Sequence, residues 1–122
     1  MEVLVFTNPR DPVKERFLRA MSKMPHLLPT FVLEREQFIS LLRNNTFSRK
    51  VIVFFAYDQA DLTLAVSLKA YLSLSRVIMV LSDWNSETVK IGLSVSPSLI
   101  TSANGDFSDV IAVLEKISTI AQ

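Results

Sequence analysis

The 122-residue sequence has no cysteine, a single histidine (His26) and two glycines (Gly92 and Gly105). Zero cysteine excludes disulfides, zinc–thiolate sites, iron–sulfur clusters and a thiol nucleophile. One histidine excludes a multi-histidine metal site, and it leaves a Ser-His-Asp triad dependent on one residue. That residue lies in a connector between Pro25 and Leu27-Leu28-Pro29 and reads as a turn residue. The two glycines are too few and too far apart for a loop that cradles phosphate. The longest apolar runs, Val51–Tyr57 and Val77–Leu81, fall far short of the roughly 20 residues of a membrane span. Met1 leads straight into Val3-Leu4-Val5-Phe6 with no basic segment or cleavage signal before it, so we expect a cytoplasmic chain with no membrane partner.

Charge is nearly balanced at +1 but is unevenly placed. Residues 1–50 hold nine Lys/Arg against five acids, and residues 51–122 hold four against seven. A total so near zero argues against a dedicated nucleic-acid binder, which needs a strongly basic surface. The set Arg10, Lys14, Arg16, Arg19 and Lys23 reads as the solvated face of one helix.

What the chain does have is 49% hydrophobic residues, enough for one real core. Short continuous apolar runs, Val3–Phe6, Val51–Ala56, Val77–Leu81 and Ser98–Thr101, are those of strands covered on both faces. Leu28–Val32 adds a strand with Pro29 near its start, as suits an edge. Between them run helical periods at Asp11–Lys23, Glu34–Arg43, Ala60–Leu74, Ser86–Leu93 and Phe107–Ile120. Asp11 is placed to cap the first, Asn44-Asn45 to end the second, and Asp106 or Ser108 to cap the last. In Ala60–Leu74 the residues Leu62, Leu64, Ala65, Leu68, Tyr71 and Leu72 read as the core stripe, and Leu74 as packing. Strict alternation of strand and helix predicts a parallel α/β layer sandwich over residues 1–122, a single domain.

In such a sheet a site lies beyond the carboxyl ends of the strands. Those ends offer Thr7, Asn8 and Asp11; then Tyr57, Asp58 and Asp61; then Ser82, Asp83 and Trp84; then Ser102, Asn104 and Asp106. Asp58, Asp61 and Asp83 are the candidates for a residual acidic or metal site. The ordinary reading is that Asp58 or Asp61 opens a helix and Asp83 belongs to a polar loop.

The alternation, the length and the ending Val77-Ile78-Met79-Val80-Leu81-Ser82 resemble the receiver domains of two-component response regulators. The resemblance implies a flavodoxin-like strand order 2-1-3-4-5. It sets Ser82 at the family's hydroxyl position, a candidate switch residue. The family's acidic pair after the first strand is replaced by Thr7-Asn8. Its acceptor aspartate after the third strand falls at Phe54 or Phe55, and no lysine lies between Lys90 and Lys116. Aspartyl phosphorylation needs a carboxylate nucleophile, Mg²⁺ and a cation on the product. The chain therefore reads as a pseudo-receiver: a non-enzymatic signalling module with no cofactor, binding another protein or a second copy of itself. The surface expected to do so is built from the fourth and fifth strands and the helix after each, with Trp84, Ile91, Leu93 and Val95 as contacts. Two alternatives stand beside it. One is a flavodoxin-like domain or enzyme that binds a nucleotide or small ligand at the strand ends, against which Pro9 in the first turn removes an N–H. The other is an atypical receiver phosphorylated on Asp58.

Overall fold

The computed structural model describes residues 2–7, 13–44 and 51–120. Five strands, β1 (Glu2–Phe6), β2 (Leu28–Val32), β3 (Val51–Ala56), β4 (Arg76–Leu81) and β5 (Leu99–Ser102), form one parallel sheet in the order β2-β1-β3-β4-β5. The helices are α1 (Val13–Met21), α2 (Arg35–Arg43), α3 (Gln59–Ser67), α4 (Lys69–Leu72), α5 (Ser86–Leu93) and α6 (Ser108–Ile120). The expected order and class are found. The caps read at Asp11 and Asn45, and the basic residue Arg10, lie outside the described residues.

The continuous apolar runs are explained by two-sided burial. Side chains alternate across a strand, so each central strand feeds two cores. Val3, Val5, Val51, Val53, Phe55, Ile78 and Val80 join the core beneath α1 and α6. Leu4, Phe6, Ile52, Phe54, Ala56, Met79 and Leu81 join the core beneath α2, α3, α4 and α5. Each core is centred on aromatic rings. Phe6 lies 4.9 Å from Phe38 and 4.8 Å from Phe54 on one side, and Phe17 lies 5.4 Å from Phe55 and 5.6 Å from Phe107 on the other. Full burial of each such ring contributes roughly 2–3 kcal/mol, and each ring pair adds about 1 kcal/mol.

The predicted third helix departs from expectation at Leu68. The chain leaves helical geometry there (φ −99°, ψ 11°) and resumes as the single turn of α4. Leu68 and Leu72 are both buried, whereas Tyr71 and Leu74 are exposed, 37% and 57%. The break shifts the phase of the apolar stripe, so Tyr71, in step with Leu64 and Leu68 on a straight helix, turns outward. The predicted fourth and fifth helices are thus α5 and α6. Among the described residues no helix is long and apolar enough to cross a membrane.

α5 is held close to the sheet by Gly92. A Cβ there would lie 2.7 Å from Ile100 Cδ1 and 3.6 Å from Leu81 Cδ1. After α5 the Val95 N–H bonds to the Gly92 carbonyl and Ser96 takes a positive φ of 55°. This turn tucks Val95 under the helix.

Candidate functional site

The carboxyl ends of β1, β3 and β4 converge as the parallel topology requires. Thr7 follows β1 and is buried; its backbone N–H donates to the Val32 carbonyl at 3.2 Å. Its hydroxyl lies 2.7 Å from the Tyr57 hydroxyl, a bond between residues fifty positions apart. Tyr57 follows β3 and stacks on Phe55 at 6.2 Å. Ser82 follows β4, and the pairing of Ala56 with Leu81 sets it beside Tyr57. The Ser82 hydroxyl is within donating distance of two carbonyls, Ala56 at 3.2 Å and Tyr57 at 3.0 Å, and its N–H donates to the Ala56 carbonyl. It is a clasp between the ends of two strands.

The three candidate carboxylates have different partners. Asp58 is the N-cap of α3 and accepts the Asp61 N–H at 2.9 Å. Asp61 is 5% exposed. One of its oxygens accepts the Tyr57 N–H at 3.0 Å, and the other accepts two N–H groups of Arg35, at 3.2 and 3.1 Å. Arg35, at the start of α2, also approaches Asp58 at 3.6 Å. Asp83 is exposed and shares only a 60 Å³ cavity with Asp58 and Ser82, far below the several hundred Å³ of an organic-ligand site. Among the described residues no three His, Asp or Glu gather as a metal would require. Sequence reasoning had no signal for Arg35, whose partner is 26 residues away. A polar cleft of about 380 Å³ beside this pair is lined by Phe6, Thr7, Glu34, Glu36 and Asp61.

The basic first helix is divided between duties. Arg16 donates to the carbonyls of Ala103 (2.6 Å) and Gly105 (3.0 Å) and lies over the ring of Phe107. Lys14 lies over Phe31. Arg19 and Lys23 line a groove of about 670 Å³ that also holds Asp106 and Glu115. Acids therefore interrupt the positive face. At the last helix Asp106, one of the two expected caps, accepts the Ser108 N–H at 3.0 Å. That bond, with a second from the Ser108 side chain, holds its carboxyl below the ordinary 3.8.

Of the four expected contact residues, Trp84 (50% exposed) and Leu93 (52%) are on the surface. Ile91 is partly buried against the core. Val95 is a correction: it is 3% exposed, because the turn after α5 carries it into the core beside Leu81 and Val77. Trp84 and Leu93 stand at opposite ends of α5, roughly 13 Å apart along its axis.

No family model matches the chain, and no curated protein matches it. Solved structures do. The signal receiver domain of an HD domain-containing protein from Pseudomonas fluorescens Pf-5 superposes with a TM-score of 0.72 at 17% identity, covering 97% of each chain. The response regulator protein TrrA from Thermotoga maritima, in complex with Mg²⁺-BeF, gives 0.69 at 10% identity over 95% of this chain and 97% of that one. RcsB, a response regulator from Salmonella typhimurium described for its conformational dynamism in DNA interaction, gives 0.73 at 15% identity over 95% of this chain and 60% of its own length. The fold is that of response-regulator receiver domains.

Proposed function

We propose that the chain is a single receiver-like module that signals by docking another protein and carries out no phosphoryl transfer. The observation that supports this is the occupant of the position beside Ser82. It is Tyr57, beyond the Phe54 or Phe55 expected from the apolar run, which are both core residues; its hydroxyl bonds to Thr7, at the place where the receiver resemblance implies a carboxylate. The nearby acids are already used: Asp58 caps α3, and Asp61 is paired with Arg35. The sequence has no lysine between Lys90 and Lys116 to pair with a phosphoryl product. A module of this kind is non-enzymatic, works without a cofactor and belongs in the cytoplasm. Its partner is a protein rather than nucleic acid, since acids break up the basic face of α1. Trp84, just before α5, and Leu93, at its end, are the anchors, facing another protein or a second copy through the side built by β4, α5, β5 and α6.

The test is light scattering combined with a pulldown by the whole chain. A specific complex or dimer that Trp84→Ala weakens is the expected result. Interactions wholly indifferent to Trp84→Ala and Leu93→Ala would remove the named surface.

A further inference from the structure

The strongest unexplained feature is an acid-free apolar surface at the amino end of the sheet. α3 and α5 pack side by side, and in this topology both run back from the carboxyl ends of the strands to the amino ends. Their last turns, with α4 and the turn into β4, bring four exposed apolar residues to that end of one face. These are Val66 (42% exposed), Tyr71 (37%), Leu74 (57%) and Leu93 (52%). From Leu62 to Ser82 there is no acid at all, only Lys69 and Arg76, both exposed. On α5 the one acid, Glu87, stands one turn before Lys90, which lies in the last turn, and no ion pair joins them. Lys69, Arg76 and Lys90 take part in none of the ion pairs among the described residues, which belong to Arg35.

We infer that this surface docks an acidic amphipathic helix of a partner protein. The inference rests on the protein-docking reading above and adds the chemistry of the partner. Exposed leucine, valine and tyrosine supply the apolar floor that a helix buries through residues at i, i+4 and i+7. Three free cations around that floor call for carboxylates on the flanks, and they discriminate against a basic segment. A second copy related by a twofold axis would bring the same three cations to this surface and no complementary acidic face. A lipid surface fits less well, because among the described residues the patch carries neither exposed Trp or Phe anchors nor a polybasic run.

The test uses the full chain and a fluorescein-labelled synthetic helix of roughly 18 residues, about 27 Å long, with Leu on one stripe and Glu elsewhere. A control peptide has Lys in place of Glu. Fluorescence anisotropy should show saturable binding of the acidic peptide and about tenfold or weaker binding of the control. The double variant Lys69→Glu/Arg76→Glu should lose the acidic peptide by a similar factor while keeping its circular dichroism and thermal midpoint. Lys116→Glu, on α6 over the opposite face of the sheet, should leave it unchanged. Equal affinity for both peptides overturns the inference, and so does no binding near 1 mM, the weak end of the affinity scale. Preferential capture by phosphatidylserine vesicles, or a dimer that Leu74→Asp abolishes, also overturns it by naming another occupant. If the peptide fails while a complex dependent on Trp84 persists, the docking reading stands and this surface assignment falls.

Discussion

Arg35 closes onto Asp61 through two hydrogen bonds to a single carboxylate oxygen, joining the start of α2 to the first turn of α3. The carboxylate is buried and the guanidinium is half exposed. Removing the cation strands a buried charge that keeps one backbone N–H. Arg35→Ala should therefore cost about 2 kcal/mol in chemical denaturation, less than a fully buried pair because water reaches the arginine side. Asp61→Asn in the Arg35→Ala background should cost much less than Asp61→Asn alone, and a double-mutant cycle reads the difference.

Treatment of the chain with acetyl phosphate and Mg²⁺ is expected to give no added phosphoryl mass, under conditions that label an active receiver. Trp84 fluorescence should show no saturable response to Mg²⁺ or Mn²⁺. A phosphoryl adduct on Asp58 would overturn the proposed function.

Gly92 sets the height of α5 above the sheet. Its nearest neighbour is the far end of the Ile100 side chain, which can rotate away. Gly92→Ala should thus stay within about 1 kcal/mol of the parent, helped by better helix propensity. Gly92→Leu should lose about 2–3 kcal/mol by overpacking, read as a lower denaturation midpoint.

Asp106 links α6 to pH. Its bonds from Ser108 lower the carboxyl below the ordinary 3.8. A group depressed in the folded state contributes stability above its unfolded value, and that contribution disappears as pH falls through the folded value. The thermal midpoint of Asp106→Ala should lie below that of the parent at neutral pH, and the gap should close progressively below about pH 4.

The strands were legible because two-sided burial leaves no polar alternation, and Val51–Ala56 is buried at every position. Strand order came from the receiver resemblance, and Asp58 was legible as a helix start. The Arg35–Asp61 pair was not, since it depends on which strand ends the topology brings together. Tyr71 was misplaced because no Gly or Pro marks the break at Leu68, and an unbroken stripe puts Tyr71 on the core face. Val95 was misplaced for the opposite reason. It follows the exposed Leu93 closely in sequence, but a residue with positive φ reverses the chain after it.

The clasp of Arg16 on Ala103 and Gly105 has a consequence for synthesis. α1 is completed by the loop between β5 and α6, 87 and 89 residues later. While the ribosome is still short of Phe107, Phe17 lacks that ring as a neighbour. One layer of the sandwich then stays open after β1, β3 and β4 have emerged. Such long-range closure slows folding. Between the synthesis of β4 and that of α6 this apolar face of the sheet has only α1 to cover it, and that is the interval in which a chaperone has the most to do.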